Sequence, residues 1–374
     1  MLDDGSRPVC DRAWAYWTDR RWPVSGAAGH PYRQLAVHTL GRSRVMSLSR
    51  YRYEVITGAA LLQLTRSLAA TMPGLVLRDG HAGGLEQRRD VVRVMADGRP
   101  VDAAWVFDSV AVASERNDRP QPPPKLWMTF TGRVVRTQRP VFDPTIATLF
   151  DFRTAQRGDA RFVHLLPRNP QEALVQLTGY SASPRTPLVD DLIGYVDHVL
   201  HCPDAAILPA ESGRLPLRPV RLRRDGGAIV AIGANAGLLK ASTGYAFERI
   251  QRHTDALVEK LTRSALPPAR EGSAVVAGSD ARHRWLDEVF LRAVATDPAV
   301  LEQAFDALVA GHQADRLLAF LDEQESVAQD MGIVAALPKA PFVRAAATVA
   351  ATALSSRWRV RRGLTGSAGT HSLR

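Results

Sequence analysis

Cysteine and lysine are the scarce residues of this chain. Two cysteines, Cys10 and Cys202, in 374 residues exclude a disulfide scaffold and a cysteine-rich zinc site, and they fit a reducing, cytoplasmic compartment. Of 48 basic residues only Lys125, Lys240, Lys260 and Lys339 are lysines. A net charge of +10 built from arginine reads as readily as the bias of a GC-rich genome as it does as a polyanion-binding surface. No helix-turn-helix, zinc-finger or aromatic-rich RNA-binding pattern accompanies it, so nucleic acid is not expected as a partner. No apolar run reaches the roughly 20 residues of a membrane span. The nearest, 345–354, is alanine-rich and too short. The opening "MLDDGSRP" lacks the apolar stretch of a signal peptide. His30, His38 and His164 stand at no metal-ligand spacing, and no metal is expected.

What is present is a soluble globular composition, 45% hydrophobic and 23% charged, long enough for two or three domains. Residues 11–22 crowd Trp14, Tyr16, Trp17 and Trp22 together. Ile56, Ala60, Leu64 and Leu68 recur at helical spacing and predict a helix over 54–71. Residues 91–108 read as a hairpin about "ADGRP", its second arm "AAWVFDS" running as a strand into Asp108. "RPQPPPK" (119–125) is a boundary. Strands follow in "KLWMTFTGRVVRT", "ARFVHLLPRN" and "EALVQLTGY". The last should place Leu174, Gln176 and Thr178 on one face and Val175 and Leu177 on the other. "TPLVDDLIGYVDHVL" predicts a helix.

A strand at Val230 to Gly233, a loop of small residues and a helix opening near Thr243 form the next unit. Such a unit can cradle an anion or a cofactor. "PPAREGS" (267–273) is a linker, everything from residue 283 is helical in pattern, and the Gly/Ser-rich tail after Gly363 is expected to be disordered.

The layout is that of an α/β dinucleotide fold with a substrate domain in its middle. Such folds open with a strand and G-x-G-x-x-G, which this chain lacks. "MLDDG" instead resembles the tail of a second strand, with Asp3 at the ribose-binding position. The expected architecture is therefore a Rossmann-like FAD/NAD(P)-binding domain, truncated at its N-terminus and made of 1–10, 50–118 and 225–265. A strand-rich substrate domain takes 11–49 and 119–224. A helical region covers 274–362, and 363–374 is the tail.

Four stretches, in order along the chain, resemble the flavin-dependent lycopene cyclases of bacteria. "RAWAYW" (12–17) is similar to that family's R-T-W-x-x-W segment. "RPVFDPTIATLFDFR" (139–153) resembles F-D-P…L-M-D-F-R, and "ESGRLPL" (211–217) resembles E-x-G-x-I-P-M. "GANAGLLKASTGYAF" (233–247) is similar to the second flavin-binding stretch, G-x-A-x-x-x-x-H-P-x-T-G-Y. Two departures stand out. The first βα unit is missing, and Gln176 stands where the family has the carboxylate of L-x-E-x-T.

The resemblance implies a flavoprotein of carotenoid biosynthesis that closes rings at the ends of a linear C40 polyene without net redox change, an intramolecular lyase or isomerase. A proton adds to a terminal alkene, the next double bond attacks the cation, and a proton leaves. Reduced FAD is the implied cofactor. Asp3, Asp108, Gly233, Asn235, Gly237, Thr243, Gly244 and Tyr245 are its implied contacts. The chemistry needs a buried acid, aromatic faces for the cation and exclusion of water. Trp14, Trp17 and Trp127 are candidates for the polyene tunnel, with Tyr16 and Trp22 beside them, and Gln176 for the substrate wall.

Glu211 is the candidate acid, with a structural carboxylate role left open. Asp151 is the second, with an ion pair to Arg153 as its alternative reading; Asp143 lies near it. Because a C40 hydrocarbon does not diffuse through water, peripheral membrane association is expected, through 342–362 with Trp358 and its arginines. A polyene binder without activity and a monooxygenase-like oxidoreductase remain alternatives.

Overall fold

The computed structural model describes the chain except residues 7–8, 10–11, 28, 30, 90, 111–122, 185–188, 219–227, 264–280 and 366–374. The linker 267–273 and most of the tail fall outside the described residues.

Short parallel strands make the first layer. β1 (Leu2–Asp3) pairs with β6 (Arg78–Asp79), and β10 (Val106–Asp108) pairs with β16 (Ile229–Ala231). Each run ends on the residue that sequence reading singles out or just before it: Asp3, Asp108 and the 233–245 loop. Two antiparallel pieces flank them. β2 (Ala13–Thr18) pairs with β5 (Arg52–Thr57), and β7 (Ala82–Gln87), β8 (Val92–Ala96) and β9 (Arg99–Ala103) form a three-stranded meander.

The second layer is a seven-stranded sheet. It contains β3 (Gln34–His38), β4 (Ser43–Ser47), β11 (Leu126–Arg136), β12 (Ile146–Asp151), β13 (Ala160–Asn169), β14 (Glu172–Ser181) and β15 (Ala206–Leu217), in the order β15-β11-β14-β13-β12-β3-β4. Its two faces are both covered, which explains why β14 is buried along nearly its whole length. Leu174, Phe162 and Tyr180 face the main core. Val175, Leu177 and Val163 face α2 (Val189–His198) through Leu192, Tyr195 and Val196. The expected face alternation of "EALVQLTGY" holds.

Helices complete the molecule: α1 (Gly58–Ala70), α3 (Phe247–Arg263), α4 (Ala281–Thr296), α5 (Val300–Gly311), α6 (Ala314–Leu321), α7 (Val327–Ala336) and α8 (Lys339–Thr365). α4 to α7 close over the main-core face of the sheet, with Leu291, Leu301, Phe305 and Leu317 in the same cluster as Phe150 and Phe162.

Three local expectations shift. The helix of 54–71 begins only at Gly58, because β5 extends to Thr57, whose side chain caps it by accepting from Ala60 N. "AAWVFDS" is two strands, broken between Ala103 and Val106 where the chain leaves the meander for the parallel layer. The helix expected near Thr243 opens at Phe247. Before it the loop folds back on itself: Gly244 N donates to Lys240 O at 2.8 Å and Lys240 N to Tyr245 O at 2.9 Å.

Candidate active site

The loop 233–245 leaves β16 at the carboxyl end of the parallel layer, the edge where open α/β sheets bind ligands. Asp108, at the matching end of β10, is buried. Its Oδ2 accepts from Asn235 Nδ2 at 3.0 Å, and its carbonyl accepts from Asn235 Nδ2 and from Ile232 N. Asp108 and Asn235 therefore tie the two strand ends together.

Gly233 has φ 61° and open space where a Cβ would stand, so backbone is available to a ligand there. Gly244, at φ 75°, has the opposite surroundings: a Cβ would meet Met128 Cε at 2.4 Å. Gly237 ends the short turn at 233–236. Asp3, exposed at the end of β1, accepts from Gly5 N. These strand-end carboxylates and the open backbone at Gly233 fit a flavin nucleotide.

Beyond the loop lies an apolar cavity of ≈ 290 Å³ between the sheet and α4–α8. Its walls carry the rings of Phe150, Tyr180, Phe290, Phe305, Phe320 and Phe342 together with Trp285. Phe150 and Phe305 meet with ring centroids 4.0 Å apart. Lys240, Ser242 and Thr243 bring the loop to the cavity wall, and Trp285 and Val343 line it while remaining 45% and 65% exposed.

A buried charge network closes the inner end. Lys240 Nζ donates to Asp287 Oδ1 at 3.0 Å and to Glu323 Oε1 at 2.8 Å. Arg249 reaches the same Glu323 oxygen at 3.1 Å, and His283 Nε2 stands 3.2 Å from Asp330 Oδ2. Burial alone would push the Lys240 ammonium down; Asp287 and Glu323 outweigh it and hold it above its ordinary value.

On the other side of Lys240 is a space of ≈ 10 Å³, about one water in size, lined by Tyr16, Trp17, Tyr245, Glu248 and Asp322. Burial, against the opposing charge of Arg252 and with that of Glu248, pushes the Asp322 carboxyl up to about 7. Burial also raises Glu248, partly opposed by its bond from Trp22 Nε1.

Several residues chosen from sequence lie away from the cavity. Trp17 is core, 3% exposed, with its ring edge on Tyr245 at 4.6 Å. Tyr245 shares a hydroxyl contact with Tyr53 at 3.3 Å. Trp14 is half-buried opposite Ile56, and Trp127 is half-buried opposite Ser181 and Pro216. None of the three lines the aromatic cavity; Trp285, which sequence reading passed over, does.

Asp151 is held by Arg153 at 2.6 Å and by the Tyr195 hydroxyl at 2.7 Å. Burial would raise its carboxyl, but these bonds prevail and lower it, so it stays ionised at neutral pH. Glu211 Oε2 accepts from Ala13 N at 3.1 Å. Gln176 lies in register with Gly132 and His164, and a Cβ at Gly132 would sit 3.5 Å from Glu211 Cγ. Glu211, Gln176 and His164 thus form a row across β15, β14 and β13, with Gly132 of β11 as the gap. The His164 ring packs on Phe150 and Phe162, its Nδ1 has no partner among the described residues, and burial pushes it down to about 4.

The network at Lys240 had two readable signals. One of four lysines stands inside a loop of small residues, and His283 and Asp287 stand four apart in "HRWLDEVF". No cluster of metal-ligating side chains occurs among the described residues.

The parallel strand ends, the glycine loop and the appended antiparallel sheet define the α/β fold of FAD-dependent monooxygenases and reductases. The structure is similar to a geranylgeranyl bacteriochlorophyll reductase-like protein from Thermoplasma acidophilum. That likeness covers 92% of this chain and 91% of that one at 12% identity, with a TM-score of 0.56. Klebsiella pneumoniae HpxO complexed with FAD and uric acid is similar at 14% identity over 83% and 87%, TM-score 0.54. So is pqsL, a probable FAD-dependent monooxygenase from Pseudomonas aeruginosa, at 14% over 79% and 88%, TM-score 0.52. No curated protein matches the sequence. Residues 2–347 match the family model described as lycopene cyclase protein, and the chain belongs to that family.

Proposed function

We propose that the protein is an FAD-dependent lycopene cyclase that closes the end of a linear polyene inside the aromatic cavity. The observation that carries this reading is the junction of two features. An apolar, ring-lined cavity abuts the loop that the family resemblance assigns to the flavin. These rings offer π faces to a carbocation and shield it from water.

One end of a C40 chain enters this cavity and the remainder stays outside. Asp3, Asp108, Asn235 and the backbone at Gly233 would hold the FAD. When bound and reduced, it supplies an electron-rich face beside the cation. Thr243, Gly244 and Tyr245 set the loop between cofactor and cavity.

The substrate comes from lipid in this reading, so the protein binds a membrane surface peripherally. No helix of the described residues is long and apolar enough to cross a membrane. Exposed Trp285 on α4 and Val343 on α8 suit an interface, whereas Ala345 of α8 faces inward and is buried against Val289, Ala293 and Val300.

Gln176, in place of the family's carboxylate, favours a second reading: a polyene binder that does not cyclise. Incubation of the native protein with reduced FAD and lycopene, followed by pigment separation, tests the first reading. A ring-ended product is expected. Lycopene bound but recovered unchanged would favour the second reading and refute the first.

A further inference from the structure

From Lys339 to Leu354 helix α8 is apolar on two opposite faces. Its inner face, with Phe342, Ala345, Ala346 and Val349, packs in one cluster with Val289, Ala293 and Val300. Its outer face carries Val343, Ala347, Ala350 and Leu354, all exposed, Val343 at 65% and Leu354 at 62%. Their spacing puts them on one stripe, and a helix apolar all round is normally covered all round.

Helix α7 continues that surface. Val327 and Met331, four apart, are 61% and 58% exposed, and Val334, on the same side of the helix, lines the aromatic cavity. Val343 and Trp285 line the cavity and are exposed as well, so they mark its mouth on this face. The charge here has one sign. Lys339 and Arg344 are exposed. The one acid between Val327 and Leu354 is Asp330, 1% exposed and turned inward to Arg282 and His283 at 3.2 Å. Glu288, on the turn after Trp285, is taken by Lys125 at 2.7 Å.

We infer that the outer faces of α7 and α8 seat the protein on an anionic lipid surface, with the cavity mouth opening into the acyl layer. The inference rests on the reading above that the cavity takes a lipid-borne polyene. Met331, Val343 and Leu354 would lie among acyl chains, while Lys339 and Arg344 reach lipid phosphates. The polyene then passes from lipid to cavity without crossing water. A second copy of this face is a poorer occupant, because a twofold axis would bring the same cations toward one another.

Co-sedimentation with vesicles tests the face without turnover. Native protein should bind vesicles of phosphatidylcholine with phosphatidylglycerol, and bind phosphatidylcholine alone more weakly. Lys339→Ser and Arg344→Ser should each lose about fivefold in affinity for the mixed vesicles. Met331→Asp combined with Ala347→Asp puts two carboxylates into the stripe at residues that do not line the cavity, and should lose about tenfold or more. Leu68→Asp combined with Met72→Asp, at exposed apolar residues about the end of α1, changes net charge equally and should bind as the native protein does. Lycopene in detergent micelles bypasses the vesicle, and with reduced FAD the Met331→Asp, Ala347→Asp variant should cyclise it at the native rate.

Native protein that ignores both kinds of vesicle, or a Met331→Asp, Ala347→Asp variant that binds as tightly as native, overturns the docking face and leaves the cyclase reading to the micelle assay. Loss of a native dimer in that variant with vesicle binding kept gives the face to a second copy and overturns the inference too. Native protein that sediments as expected but converts no lycopene in micelles overturns the cyclase reading and leaves the docking face. If the paired variant does not fold, Lys339→Ser and Arg344→Ser decide, since both side chains stand at the surface.

Discussion

The two sides of the loop 233–245 are built on different principles. On the parallel-strand side, contacts come from backbone and short strand ends: Asp3, Asp108, Asn235 and the open Gly233. On the sheet-and-helix side they come from bulky side chains borne by elements far apart in sequence: Phe150 on β12, Tyr180 on β14, Phe305 on α5 and Phe342 on α8. The first side is fixed by conformation and the second by packing. They should therefore fail differently when altered.

The largest effect belongs to the packed side. Phe150→Ala removes a ring that touches Phe152, Phe162 and Phe305, and is expected to cost about 3–5 kcal/mol of stability, read by urea unfolding. A cost near zero would mean that the cavity wall is not a packed core.

Next is the border between the two sides. Folded Asp322 holds its proton up to about 7, whereas the unfolded carboxyl releases it near 3.8. The folded state therefore binds more protons between these values. Its contribution is full below about 4 and is lost as pH rises toward 7. At about 1.4 kcal/mol per unit the loss is bounded at about 4 kcal/mol. Asp322→Asn should therefore gain on the native protein as pH rises from 4 to 8, with most of the gain complete by pH 7. Equal pH dependence in both proteins would remove Asp322 from this account.

On the conformational side, Gly244→Ala puts a Cβ at φ 75° and against Met128. It should cost about 1–2 kcal/mol, yet reduce flavin retention on a gel-filtration column far more than Phe150→Ala does per unit of stability lost. The reverse ranking would break the distinction between the two sides.

The smallest effect lies at the cavity's exposed wall. Trp285→Ser should leave unfolding unchanged and weaken co-sedimentation with anionic vesicles by about 1 kcal/mol, since only part of the ring is available to lipid. Undiminished sedimentation would place the membrane contact elsewhere.

The same contrast explains what the sequence disclosed. The loop was legible because its conformation is written in consecutive residues: β16, Gly233 and the small run to Gly244. The strands of the large sheet were legible because alternation survives in "EALVQLTGY". The cavity was not, because a lone Phe at helical spacing, as at 290 or 342, looks the same whether it faces core or cavity. In the conspicuous cluster at 14–22, Tyr16 and Trp17 lie in packed core, Trp17 against Tyr245 and Tyr16 against Phe247 at 4.3 Å. The raised acids Glu248 and Asp322 could not be read at all, since burial by distant elements creates their shifts. Asp151 was readable both ways until Tyr195, 44 residues on, was seen to donate to it.

The central claim is that ring closure takes place in the aromatic cavity beside the loop. Ala304 lines that cavity at 1% exposure, and Ala304→Phe would occupy it. With reduced FAD and lycopene, native protein should yield ring-ended product. An Ala304→Phe variant of unchanged Tm and flavin content should yield none. Undiminished product from that plugged variant would contradict the claim.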